Sequence, residues 1–319
     1  MITLTHVYVV GGLFFAAVSL LSLGDGANPR RLRNALFWGL LALSFLAGQY
    51  LGDLGNGLLA LGLVAVAAIG LGQGKPPTTS AEERRASAER RGNLLFLPAL
   101  IIPAAALLGT LAAKQTAWGA AFIDPAQATL VSLVLGVLIA VGVVMAWLRP
   151  PPLAPLQEGR RLIDAVGWAA ILPQMLASLG AVFLTEGVGE QVGRLFGEYV
   201  PLDTRTLAVA AYCIGMALFT IVMGNAFAAF PVMTAAVGLP IVVQHFGGDP
   251  ARVCAIGMLA GFCGTLMTPM AANFNVVPAN LLELPDRNAA LNGVIRAQIP
   301  TAIPLLLANI VLMRMLAFP

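Results

Sequence analysis

Residues 206–248 read TLAVAAYCIGMALFTIVMGNAFAAFPVMTAAVGLPIVVQHFGG, 43 positions without an Asp, Glu, Lys or Arg. As one straight helix they would extend about 65 Å, twice the roughly 30 Å of a bilayer's hydrocarbon core, so the chain must turn back within them. The turn is expected at Met223-Gly224-Asn225, because Gly and Asn tolerate left-handed and turn backbone best. Every predicted cytoplasmic loop elsewhere carries charge, and this turn carries none. A re-entrant hairpin over 206–245, opening from outside and reversing inside the membrane, accounts for that composition. The simpler alternative is a pair of membrane helices packed through small residues.

The rest of the chain has the same character. Of 319 residues 59% are hydrophobic and 10% charged, and the mean hydropathy is +0.87, which excludes an ordinary soluble domain. The charges cluster, and between clusters lie uncharged runs at 1–24, 54–74, 94–113, 125–148, 165–185, 253–282 and 297–313. Nearly all reach the length a membrane helix needs, and they are continuously apolar rather than alternating, which favours helices over a β-barrel. Met1–His6 holds no Lys or Arg, and the run that follows is too long for a cleaved signal sequence. The reading is an all-α polytopic membrane protein: about eight transmembrane helices, one re-entrant hairpin and one broken helix.

Loop charges set the orientation. Arg30, Arg31 and Arg33; Lys75, Arg84, Arg85, Arg90 and Arg91; Arg149, Arg160 and Arg161; and Arg287 with Arg296 all fall on one side if spans alternate, with two spans at 34–52 and 54–72 joined by a Gly52-Asp53 turn. That places 13 of the 18 Lys+Arg in the cytoplasm, and the acidic stretch Glu186 to Asp203 outside. Both chain ends are then expected outside, and Arg84 and Arg90 are expected in solvent. Residues 75–92, KPPTTSAEERRASAERRG, read as a polar cytoplasmic linker. The organisation expected is scaffold helices over 1–148, an interfacial helix and external arm over 149–205, and a transport-type segment over 206–319 that ends in a helix at 297–316.

A second irregularity lies in 253–284, again too long for one untilted crossing. In its middle stands Thr265-Leu-Met-Thr268-Pro269-Met-Ala-Ala-Asn273-Phe-Asn275-Val-Val-Pro278. Two prolines remove helix donors, while Thr and Asn side chains offer replacements, so a broken helix is predicted; a locally satisfied proline kink is the alternative. Unwound backbone at membrane depth persists only where protein or a water-filled cavity covers it. The hairpin would also present the N-terminal end of its second helix, at Asn225-Ala226-Phe227, as an anion site.

Other chemistries find little footing. Cys213, Cys254 and Cys263 lie in apolar runs with no metal-ligand spacing and read as packing residues. Gly70-Leu-Gly-Gln-Gly74-Lys75 approaches a phosphate loop but has Ile69 and Pro76 where that motif needs Gly and Ser/Thr. The two histidines, His6 and His245, are far apart, no hydrolase motif occurs, and an enzyme is not expected. Eighteen basic residues spread between membrane spans read as topology, not nucleic-acid binding.

In order along the chain, ILPQMLASLGAVFLTEGVGEQVGRL at 171–195, the tip Gly224-Asn225-Ala226-Phe227 with Pro231, GLPIV at 238–242, and Thr268-Pro269 with Asn273 and Asn275 resemble the C-terminal repeat of the ion-transporter superfamily of secondary carriers, which includes divalent-anion/sodium symporters. Over nearly its whole length the chain is also similar to an uncharacterised bacterial permease family described as one subunit of a two-component 5-oxoproline transporter. The resemblance implies a subunit of a secondary transporter for a small carboxylate, in the bacterial cytoplasmic membrane, working with a second, smaller membrane subunit. It implies substrate contacts from Gly224, Asn225, Ala226, Thr268, Pro269, Asn273 and Asn275, no cofactor, and Na+ or H+ as coupling ion. Where the superfamily has Ser-Asn-Thr at the tip, this chain has Gly-Asn-Ala, and Asp249 is the one carboxylate in 206–282. The competing expectation is a membrane scaffold that transports nothing.

Overall fold

The computed structural model describes residues 1–319 except 73, 75–78, 200–201, 283–286 and 319, and describes only the backbone of 81, 173, 177, 273, 280, 287 and 288. Lys75 thus lies outside the described residues, as do the side chains of Arg287 and Asn273. The described residues are helical throughout, apart from turns and one isolated bridge between Ile2 and Ile123. Eight of their helices are long and apolar enough to cross a membrane, so the protein is a polytopic, all-helical membrane protein. Large apolar side chains stand exposed along these helices, as lipid-facing surfaces require. The chain divides into two compact units, Met1–Asp164 and Ala165–Pro319.

In the first unit α1 (Leu4–Leu23) packs on α2 (Arg31–Ile69). α2 is two antiparallel arms, because the chain reverses at Gly52, whose φ of 62° a residue with a Cβ rarely adopts. Pairing across the arms fixes the register: Asn56 Nδ2 donates to Gly48 O (2.9 Å) near the turn, and Arg33 to Ile69 O (3.1 Å) near the open end. α1 closes on this pair through Gly12 and a cluster of Phe15, Phe37, Trp38 and Phe45. Then come α3 (Ala81–Arg91), α4 (Leu97–Gln115), α5 (Ala117–Phe122), α6 (Ala128–Leu148) and the amphipathic α7 (Ala154–Val166). α4 and α6 meet where Gly136 lies against Ile102 and Ala105, the close approach that small residues permit between membrane helices. Most of the polar linker is ordered as α3, started by a capping box in which Ser80 Oγ accepts from Glu83 N and Glu83 Oε2 from Ser80 N.

The cytoplasmic-loop arginines differ in their surroundings. Arg84 and Arg90 are exposed, but Arg160 is 5% exposed. Its guanidinium pairs with Asp25, donates to Leu21 O (3.0 Å), and lies 3.5 Å from Asp164 Oδ2. Asp164 Oδ1 accepts from Trp38 Nε1 (3.0 Å) and Asn34 Nδ2 (3.1 Å), and Asn34 exchanges two further bonds with the Gly72 backbone (2.6 and 2.8 Å). The glycines that resemble a phosphate loop serve this cluster. A Cβ on Gly72 would collide with Asn28, and one on Gly74 with both Asp25 and Arg160. The backbone lies against the ion pair because it has no side chain there.

The second unit opens with α8 (Leu172–Thr185) and the amphipathic α9 (Val188–Tyr199). α10 (Arg205–Met223) and α11 (Ala226–Met233), which continues as a π-helix over Thr234–His245, form the hairpin. α12 (Pro250–Leu266) follows; the chain then breaks and resumes as a π-turn over Ala272–Val276 and α13 (Val277–Leu281), before the long α14 (Arg287–Leu316). The hairpin is the interior of this unit. The most apolar 18-residue window of its second arm is 56% buried, against 6–28% for the spans of the first unit. Glycines set the packing: Gly180 of α8 meets Ala228, and Gly189 and Gly193 of α9 meet Val232 and Ala236. Inside, Tyr212 shares a hydrogen bond with Thr234 (2.9 Å) and fills the space that Gly238 and Gly257 leave. At the open end Ala317 O accepts from Asp249 N (2.7 Å), Leu316 O from Arg252 (2.6 Å), and the Phe318 ring lies between Arg205 and Arg314.

Candidate functional site

The hairpin tip and the helix break come together. α10 ends on Gly224, left-handed at φ 74°, and a Cβ there would stand 2.5 Å from Met270 Cβ and 2.9 Å from Met270 O. Glycine is therefore required twice, for its backbone and for its lack of a side chain. Asn225 is the N-cap of α11, with Oδ1 accepting from Phe227 N at 2.7 Å. The other N–H groups of the first turn, those of Ala226 and Ala228, have no carbonyl one turn earlier in the helix to bond to.

Across from the tip, α12 ends at Leu266, and the chain turns through Met267–Ala271 before helical backbone resumes at Ala272. The carbonyls freed by these interruptions are taken up locally. Thr268 Oγ1 donates to Ile221 O near the end of α10 (2.8 Å). Asn275, fully buried, donates through Nδ2 to Thr265 O (2.9 Å) and Thr268 O (2.7 Å), and its Oδ1 has no partner. Exposed carbonyl ends at membrane depth are costly, and this pair of side chains removes that cost.

Between tip and break lies a cavity bounded by Leu172 and Leu176 of α8, residues 224–227, Phe262 and Thr265 of α12, and Ala271, Ala272 and Phe274. Measured at the centres of water-sized spheres it holds about 20 Å³, room for a water or two. Its wall is mostly apolar, with Phe227 edge-on to Phe262 (5.8 Å) and Phe262 beside Phe274 (5.8 Å). Two helix starts open on it, at Ala226 and at Ala272, and no residue lining it is charged.

Of the residues expected to hold substrate, Gly224, Asn225 and Ala226 therefore line one cavity. Thr268 and Asn275 sit behind it and brace the break, and Pro269 is exposed at the turn. Asn273 falls in the π-turn, its side chain outside the described residues. Sequence reasoning missed the aromatic wall and the contribution of α8; the aromatics lie within apolar runs where nothing marks them off from lipid-facing neighbours. Among the described residues no group of three or more His, Cys, Asp or Glu is placed to hold a metal.

Fold and site together define a polytopic membrane protein in which a helical hairpin and a broken helix meet at a small, partly open cavity. Residues 5–318 match the model of a family described as "Protein of unknown function (DUF979)", and the chain belongs to that family. No curated protein and no solved structure matches it.

Proposed function

We propose that this chain is one membrane subunit of a secondary transporter for a small carboxylate, with 5-oxoproline the first substrate to test. The observation that carries the reading is the convergence of two helix starts, at Ala226 and Ala272, on one cavity that contains no Lys or Arg. Such ends point N–H donors and the positive pole of the helix dipole at the same point, which suits an anion without a buried cation. Gly224, Asn225 and Ala226 would contact the carboxylate, and Phe262 and Phe274 its apolar part. The cavity is too small to hold that molecule, so binding requires the tip to part from Met270.

In this reading the hairpin is re-entrant and opens from outside. The uncharged tip supports it, as does α14, which runs from Leu316, level with Arg252, past Gln298, bonded to Phe274 O (3.1 Å), and on to Arg287. α14 thus extends well beyond the level of the break. The exposed apolar side chains at the tip and break, Val222, Phe227, Met270 and Phe274, suit cover by a second, smaller membrane subunit. Na+ or H+ is the coupling ion, and the bacterial inner membrane the location.

The test is uptake of radiolabelled 5-oxoproline and other small carboxylates into vesicles containing both subunits. Asn225→Leu, expressed and folded normally, should abolish uptake; transport that survived it would remove the hairpin tip from the mechanism.

A further inference from the structure

We propose that the buried cluster of the first unit is a proton-binding site, in which Asp164 carries a proton on Oδ2 at neutral pH while the Arg160 guanidinium pairs with Asp25. The inference is independent of the transport reading, and it starts from charge. Two carboxylates, with side chains 8% and 3% exposed, share one guanidinium that is 6% exposed. If all three were ionised, the cluster would bury one net negative charge, which costs several kcal/mol. When two carboxylates share a site in this way, one of them holds its proton far more tightly.

Geometry decides which. The guanidinium is already committed: Nη2 to Asp25 and Nη1 to Leu21 O. Arg160 Nε stands 3.5 Å from Asp164 Oδ2, and neither atom makes a hydrogen bond. Asp164 Oδ1 takes two neutral donors, Trp38 Nε1 and Asn34 Nδ2, so the vacant oxygen for a proton is Oδ2. Among the described residues, the other charged groups near the cluster have partners of their own. Arg30 donates to Leu71 O (3.2 Å) and Arg33 to Ile69 O (3.1 Å), both at exposed positions, and Glu158 pairs with Arg161 (2.7 Å). Protonation of Asp164 forms one O–H bond and removes the excess charge; no other bond changes.

A proton held at Asp164 ties stability to pH. A carboxyl that binds its proton more tightly folded than unfolded stabilises the fold fully below its unfolded value near 4, and that stabilisation is lost as pH rises through its folded value. Asp164 is also beside Trp38, whose indole bonds to it directly and reports its state.

The experiment is infrared difference spectroscopy of the purified full chain over pH 4–9, with Trp fluorescence and thermal unfolding followed in parallel. The expected result is a protonated-carboxyl C=O band that persists at pH 7 and titrates above the ordinary Asp value of about 3.9. Asp164→Asn, which copies the protonated acid, should lack the band, lose the matching fluorescence change and keep its thermal midpoint at pH 7. Asp25→Asn releases Arg160 to pair with Asp164, and should bring the titration down to the ordinary range or below. Absence of a protonated carboxyl at pH 7, a band that survives Asp164→Asn, or a midpoint indifferent to Asp25→Asn would each overturn the assignment. If Asp164→Asn fails to fold, the wild-type band and its response to Asp25→Asn decide alone.

Discussion

Replacing Gly224 by Ala tests the meeting of tip and break with one methyl group. The backbone there is left-handed, which costs a residue with a Cβ about 1–2 kcal/mol. The methyl would also stand 2.5 Å from Met270 Cβ, where carbon atoms ordinarily sit about 3.5–4.0 Å apart. Tip and break must then separate by about 1 Å, and overpacking of this kind costs about 1–3 kcal/mol. Gly247 provides the control, because its φ is 73° and a Cβ there would meet nothing within 4 Å. Gly247→Ala should lose only the backbone part, about 1–2 kcal/mol, and Gly224→Ala about 2–5 kcal/mol in total. Thermal unfolding of the purified proteins measures the difference. Uptake by the proposed two-subunit transporter in vesicles should fall on the order of 100-fold for Gly224→Ala, the loss that a 1 Å misplacement produces in positioned sites. Equal destabilisation by the two variants, or full uptake with Gly224→Ala, would refute the reasoning.

Other perturbations separate the remaining roles. Arg160→Met leaves the buried Asp25 carboxylate without its ion-pair partner and should cost about 3–5 kcal/mol in thermal or denaturant unfolding, whereas Arg84→Ala, at an exposed position, should stay within about 0.5 kcal/mol. Asn225→Asp keeps a side chain that caps a helix equally well, so the unfolding midpoint should hold; its negative charge at the cavity should weaken carboxylate binding, read as a higher half-saturating concentration in uptake. Cysteines placed at Arg90 and at Glu190 should react with a membrane-impermeant thiol reagent from opposite sides of the membrane, Glu190 from outside; labelling of both from one side would invert or break the orientation derived from charge.

The spans were legible because hydrophobic length is a local property that the bilayer reads directly. The hairpin was legible for a related reason: 43 uncharged residues have nowhere to go but back, and Gly224-Asn225 is the one pair suited to the turn. The break at Thr268-Pro269 showed through its missing donors, and Thr and Asn were read there as replacement partners; Thr268 Oγ1 and Asn275 Nδ2 do donate to carbonyls freed at the end of α10 and at the break, while their contact with substrate was only what the resemblance implies. Phe262, Phe274 and Leu172 gave no signal, since apolar residues of a cavity and of a lipid face look alike in a row of letters. The Arg160 cluster was hidden for another reason. Asp25, Asn34, Gly72 and Asp164 are scattered over 140 residues, and only the folded chain shows that the glycines of 70–74 exist to let a backbone lie against an ion pair.

The clasp at the open end of the hairpin has a consequence for how the protein is made. Met313, Ala317 and Phe318 belong to the same core as Ala208, Tyr212 and Met216, and Ala317 bonds to the residue that caps α12. Both hairpin arms are therefore synthesised well before the helix that completes their surroundings. At 5–20 residues per second, the roughly seventy residues from His245 to Met313 take about 4–14 s to emerge. Throughout that interval the two apolar arms lack the part of their core that α14 supplies. Biogenesis of this unit is thus paced by the arrival of α14, and a ribosome stalled before the codons of that helix would leave a fully translated hairpin without its clasp.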